Sequence, residues 1–181
     1  QVSFMAKAYV LGATAFEADE KFKEEIQNLN KIIYEKSDEE VNKIYEWGRE
    51  ISLKHFGEIY KKLGTSFDYY FFESEMASVS LPIMEEFLKK GVFEKSDGAI
   101  IFKGEPYGLH TRVFVNSQGL PTYEAKDIAL NKKKYEKYAF DRSIVVTGSE
   151  QKDYYKVVLK ALEFIEPSIA NKTLHISHGL M

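Results

Sequence analysis

Apolar positions recur every three or four residues through the first third of the chain. Phe22, Ile26, Leu29 and Ile33 keep that spacing, which is one face of an α-helix. The phrase KSDEEVNKIY restarts the pattern. Ser37 with Glu40 three residues on predicts a capping box at the start of the next helix. Val41, Ile44, Gly48, Ile51, Phe56, Ile59 and Leu63 then form one apolar stripe, and Gly64 is placed to close the helix. Residues 2 to about 62 are therefore predicted to be helical.

The texture changes at SFDYYFFESE. Aromatics crowd positions 67 to 72, which predicts a short buried strand, with Tyr69 to Phe72 in the core and not a platform for bases. A helix is predicted over 79–90, with Pro82 in its first turn and Gly91 past its end. DGAIIF and TRVFVNSQGLPTY predict strands around turns at Asp97-Gly98 and Gln118-Gly119. Another helix follows from about 123. SIVVTGSEQ reads as a strand, residues 151–164 as a helix and TLHISHGLM as a second strand. Strand, helix, strand with apolar runs of the buried type predicts a parallel sheet. The expected organisation is a helical segment over 1–65 joined to an α/β portion over 66–181, without repeats or low-complexity stretches.

Composition narrows the class. A chain of 181 residues fits one domain, or one domain with an insertion. Hydrophobic residues at 44% and charged residues at 29% are those of a globular protein. A net charge of −3 argues against a broad basic surface for nonspecific nucleic-acid binding. With no cysteine, disulfides, iron–sulfur clusters and cysteine zinc sites are excluded, and a reducing cytoplasmic setting is permitted. No run is apolar enough to span a bilayer and no signal peptide is visible, so no membrane partner is expected. The chain opens on Gln1 and closes on Leu180-Met181 directly after a strand, so a piece of a larger protein is expected.

Three phrases could carry chemistry. In GLPTYEAKDIAL, Thr122 is a plausible N-cap, which puts Tyr123 and Asp127 one turn apart on one face. A carboxylate near a helix start is favoured by the macrodipole and suits a planar cation such as a guanidinium. Packing and dipole complementation alone would also account for this pair. In VVTGSEQ, Gly148 ends an apolar strand, and ligands of open α/β sheets sit at strand carboxyl ends. Glu150 could accept from ribose hydroxyls and Gln151 could meet a small polar substrate, although an ordinary strand-to-helix turn has the same composition. In HISHGLM, His175 and His178 should point to opposite faces of a strand, a poor geometry for a shared metal. Gly179 would let backbone approach a flat ligand. The lysine run 132–134 reads as a solvated helix face, with an RNA phosphate contact as the sharper alternative. No P-loop and no Ser/His/Asp triad phrase is present.

Taken in order, GREISLKHFGEIYKKLGTSFDYYFFESE, SDGAIIF, LPTYEAKDIAL, IVVTGSEQ and HISHGLM resemble the catalytic domain of the arginyl-tRNA synthetases, a class I aminoacyl-tRNA synthetase family. The resemblance implies a Rossmann-like nucleotide-binding core with a largely helical insertion. It implies that Asp127 pairs with the guanidinium of L-arginine, and that Tyr123 and Gln151 complete that pocket. Gly148 and Glu150 would hold the ribose of ATP, and Gly179, Leu180 and Met181 would read adenine. ATP, Mg²⁺, L-arginine and tRNA(Arg) are the implied cofactor and partners of a cytoplasmic, monomeric ligase. No protein nucleophile and no metal ligand are implied among these residues. The HIGH and KMSKS signatures of the family do not occur in this sequence, so the 181 residues alone are expected to be inactive. Tyr154 stands where the family often has histidine. A noncatalytic RNA- or protein-binding module and a different nucleotide-binding α/β enzyme are the alternatives.

Overall fold

The computed structural model describes residues 1–179. The chain divides into two compact units, Gln1–Tyr70 and Phe71–Met181.

The first unit is three helices, α1 (Val2–Ala18), α2 (Glu20–Glu35) and α3 (Glu39–Leu63). Asp19 caps α2 by accepting the Lys21 N–H at 2.8 Å, and Asp38 caps α3 by accepting the Val41 N–H at 2.9 Å. The cap of α3 is thus Asp38, not Ser37 as the sequence suggested. Ser37 is engaged in closing α2: Lys36 takes a left-handed conformation (φ 53°), and the Ser37 N–H donates to the Ile32 carbonyl at 3.2 Å. Gly64 closes α3 at φ 68°, as its position predicts. No residue of the three helices is fully buried. Within the α3 stripe, Ile44 and Leu63 remain 67% and 72% exposed.

The aromatic run forms no strand. Among the described residues no strand pairs with residues 67–72, and Phe72 instead occupies the N-cap position of the helix that follows. A buried strand needs a neighbouring strand for its backbone groups, and among the described residues neither sheet includes this segment. Phe67 packs edge-on against Tyr60 at 4.7 Å, while Tyr69 and Tyr70 are 45% and 52% exposed, so this run is not core as predicted.

The second unit opens with α4 (Glu73–Lys89), which starts earlier than the predicted residue 79. Glu73 and Glu75 in its first turn complement the helix dipole, and Met76, Ala77, Ser80, Ile83, Met84 and Phe87 supply one continuous buried face. Pro82 consequently lies inside the helix. It is exposed, so the carbonyl that its missing N–H leaves unpaired can meet water. Strands β1 (Glu94–Ser96), β2 (Ala99–Phe102) and β3 (Arg112–Val115) make an antiparallel sheet in that order. The β1–β2 turn is Asp97-Gly98, both at positive φ (49° and 79°), the conformation that an Asp-Gly hairpin favours. Sequence patterning missed β1 because all three of its residues are exposed.

Helix α5 (Tyr123–Lys137), β4 (Ser143–Gly148), α6 (Lys152–Ile165), the short α7 (Pro167–Ala170) and β5 (Thr173–His178) complete the unit. β4 and β5 pair in parallel, with Ser143 opposite Thr173 and Gly148 opposite His178. The predicted parallel pairing is therefore present, but as two strands separate from the antiparallel sheet. The strands are not buried on both faces as their apolar runs suggested. Ile144, Val146, Leu174 and Ile176 are between 44% and 61% exposed. The core lies elsewhere: Phe93, Phe102 and Phe114 form a ring cluster, and Ile128, Ala129, Val157, Val158, Ala161 and Leu162 of α5 and α6 are fully buried.

Candidate functional site

The start of α5 is anchored to β3. The Thr122 N–H donates to the Phe114 carbonyl at 2.9 Å. Thr122 Oγ1 donates to the carbonyls of Val113 at 2.7 Å and Phe114 at 3.1 Å. Thr122 occupies the N-cap position, but its hydroxyl does not cap the helix. It joins helix to strand, and so sets where the first turns of α5 lie.

Asp127 projects from the second turn of α5 and is half-buried. The Tyr154 hydroxyl, from the first turn of α6, donates to Asp127 Oδ2 at 2.7 Å. Burial pushes the Asp127 carboxyl above its ordinary value, and the hydroxyls of Tyr154 and Tyr155 and the charge of Lys134 pull it back down. Helix-dipole support, expected from the sequence, falls to Glu124, the acidic residue actually in the first turn. Glu124 is buried and paired with Arg112 Nη1 at 3.1 Å. The Arg112 guanidinium lies over the Tyr154 ring, 5.4 Å from its centroid.

The cluster extends to the parallel strands. Tyr155, whose hydroxyl is pushed up to about 12 by burial and by the Asp127 charge, stacks on His175 at 4.4 Å. His175 Nε2 lies 2.8 Å from Thr147 Oγ1 on β4, and burial lowers the imidazole. His175 and His178 do occupy opposite faces: the first is half-buried and the second is exposed.

The other expected site residues are distributed around this cluster. Tyr123 is 66% exposed, with Lys126 Nζ 5.4 Å from its ring centroid. Glu150 and Gln151 are exposed in a 3₁₀ turn between β4 and α6. Glu150 folds back over Gly148, where a Cβ would clash with its carboxyl group. Gly179 is exposed past the end of β5, and Leu180 and Met181 lie outside the described residues. The lysine run is a partly exposed face on which each lysine has a neighbouring partner. Lys132 pairs with Glu166 at 3.1 Å, Lys133 with Glu136 at 2.7 Å, and Lys134 donates to Ser143 Oγ at 3.2 Å. Sequence reading overlooked Tyr155, Thr147, Arg112 and Glu124, and met Tyr154 only as a departure from a pattern. A signal was present: Tyr154 and Tyr155 stand three and four residues after Gln151, one turn into the same helix.

Such a layout, polar groups gathered where a helix leaves a parallel strand pair, belongs to open α/β proteins that take ligands beyond strand carboxyl ends. The family described as "tRNA synthetases class I (R), catalytic domain" matches residues 1–181. The chain belongs to this family. It is 34% identical over 150 residues to an arginine–tRNA ligase of Lactobacillus delbrueckii subsp. bulgaricus, covering 81% of this chain and 26% of that protein. A ligase of the same name from Halothermothrix orenii is 32% identical over 147 residues, with the same two coverages of 81% and 26%. In fold, the arginyl-tRNA synthetase of Plasmodium falciparum superposes with a TM-score of 0.70 at 19% identity, over 92% of this chain and 32% of that one. The chain thus spans about a quarter of the length of these curated relatives. Among the described residues no helix is long and apolar enough to cross a membrane.

Proposed function

We propose that this chain forms part of an arginine–tRNA ligase. The enzyme would join L-arginine to ATP as arginyl-adenylate and pass the arginyl group to tRNA(Arg). The observation that carries the proposal is Asp127: a half-buried carboxylate that accepts a phenol hydroxyl from the first turn of α6, the helix that follows the carboxyl end of β4. A guanidinium offers paired N–H donors to such a group, lysine offers only a point charge, and citrulline offers no charge. Because the carboxylate is partly desolvated, a side chain that fails to pair with it is penalised, which makes the selection steep.

Gln151 and Tyr123 complete the arginine pocket in this proposal, and Gly148, Glu150 and Gly179, with Leu180 and Met181, hold the nucleoside. The Glu150 carboxyl, already folded over Gly148, supports a role toward ribose hydroxyls. An oxygen of the arginine carboxylate attacks the ATP α-phosphate, a new P–O bond forms, and the bond to pyrophosphate breaks. The protein positions the reactants and supplies no nucleophile. Among the described residues no group of His, Asp and Glu side chains is placed to hold a metal ion, so no step is assigned here to Mg²⁺. A cytoplasmic, monomeric enzyme without a membrane partner completes the proposal.

The test is L-arginine-dependent exchange of pyrophosphate into ATP by the full-length protein with tRNA(Arg) present. Asp127→Asn is expected to raise the arginine KM about a hundredfold or more, the usual consequence of truncating one side of a desolvated charge pair, and to leave the ATP KM nearly unchanged. Small and equal effects on both substrates would refute the assignment.

A further inference from the structure

We infer that Tyr154 is a positioning residue for arginine recognition: its hydroxyl fixes the plane of the Asp127 carboxylate and leaves the remaining oxygen lone pairs facing the pocket. This inference rests on the ligase proposal and assigns a role to a side chain which that proposal does not use.

Four observations converge on Tyr154. Its hydroxyl donates to Asp127 Oδ2 at 2.7 Å across the packed pair of α5 and α6. Its ring is backed by the Arg112 guanidinium at 5.4 Å. That guanidinium is itself held by Glu124 at 3.1 Å, and its Nε is buried without a hydrogen-bond partner, so Arg112 is committed to this position at some cost. Tyr155, the next residue, also bonds to Asp127 and stacks on His175, which fixes the same turn of α6 from the strand side.

The physical need is specific. A carboxylate rotates about a broad, two-fold torsion, so an unrestrained Asp127 would present many planes to an incoming guanidinium. Bidentate pairing requires one plane. A carboxylate has about four lone-pair positions; the Tyr154 and Tyr155 hydroxyls take two of them, that of Tyr154 on Oδ2. The Tyr154 hydroxyl therefore orients the group without closing it. It also favours the ionised form against the burial that opposes ionisation. The groups that face Asp127 are Tyr154 and Tyr155 from α6, and Lys134 and Glu124 from its own helix.

The experiment uses the full-length enzyme and pyrophosphate exchange, with Tyr154→Phe, Asp127→Asn and the double variant. Tyr154→Phe should raise the arginine KM about ten- to a hundredfold, the range for one hydrogen bond to a charged group, with the ATP KM unmoved. The acid limb of its pH profile in 1/KM for arginine should move to higher pH, because Asp127 loses one of the donors that keep it ionised. In the Asp127→Asn background the same substitution should have little further effect, since the hydroxyl acts through the carboxylate. Tyr154→Gln, polar but too short to reach Oδ2, is the second variant and should give the same pattern. An arginine KM unchanged in both variants, equal losses for arginine and ATP, or a full effect persisting beside Asp127→Asn would each overturn the inference. A wild-type protein with no arginine-dependent exchange in the presence of tRNA(Arg) would instead overturn the ligase proposal itself.

Discussion

Thr122 offers a prediction on which two physical accounts disagree about rank order. As an N-cap, its oxygen would accept from an N–H of the first turn, and Ser, Asp and Asn would serve as well as Thr. In the structure the hydroxyl donates instead, to the Val113 and Phe114 carbonyls at 2.7 and 3.1 Å. Only a side chain with a proton to donate can replace it in that role. Serine is therefore expected to match threonine. Alanine loses a bond worth about 1 kcal/mol net. Aspartate has no proton to give at neutral pH and would set a carboxylate beside two carbonyl oxygens, so it should be no better than alanine.

Urea denaturation of the four chains at pH 7 would measure this. With a slope of about 1–3 kcal/mol/M, a loss of about 1 kcal/mol moves the midpoint by roughly 0.3–1 M. The slopes should be equal, so that midpoints compare stability and not compactness. The order Thr ≈ Ser > Ala ≥ Asp supports a helix-to-strand anchor. An aspartate chain as stable as threonine would refute it and restore the capping account.

The kinetic effects of Asp127→Asn and of Tyr154→Phe are two further predictions, read by pyrophosphate exchange as described above. Asp127→Asn should also change stability with pH. Folding raises the carboxyl above its unfolded value, so the folded state binds that proton more tightly, and wild-type stability falls as pH rises from the ordinary carboxylate range through the raised value. The asparagine chain lacks this decline, so its Tm advantage should grow through that window and level off above it; a Tm difference independent of pH would count against the burial of Asp127. Gly104→Ala should cost about 1–3 kcal/mol, because a Cβ there would lie 2.7 Å from the His110 carbonyl carbon and 2.8 Å from that of Leu109, backbone atoms that cannot swing aside; an unchanged urea midpoint would show that the turn can open.

Elements with strong periodicity or explicit punctuation were legible in the sequence: α2, α3 with Gly64, the Asp97-Gly98 turn, α5, and the β4–α6–β5 unit. Misreadings share a cause, which is that tertiary partners decide between local options. Ser37 and Asp38 are both good caps, and the closing turn of α2 uses the first. Residues 67–72 have strand composition, but among the described residues no neighbouring strand accepts them. The exposed strand β1 carries no apolar alternation at all. At the site, the one-turn spacing of Tyr123 and Asp127 follows from the sequence, yet only contact across α5 and α6 reveals that Asp127 turns toward Tyr154 while Tyr123 stays exposed.

That contact changes the physical account of Asp127. A helix N-terminus supports an anion mainly within its first turn, and the acid there is Glu124, already neutralised by Arg112. Asp127 sits one turn further along, where burial works against its charge and phenol hydroxyls work for it. A carboxylate stabilised by a salt bridge has its partner in place and gains little from a second cation. One hydrogen-bonded by neutral phenols, with Lys134 acting on it only as a nearby charge, retains a demand for paired charged donors. Burial raises that demand, and the Tyr154 hydroxyl gives it a direction. In the proposed ligase, selectivity for a guanidinium would then arise from leaving this carboxylate oriented and open to a paired donor.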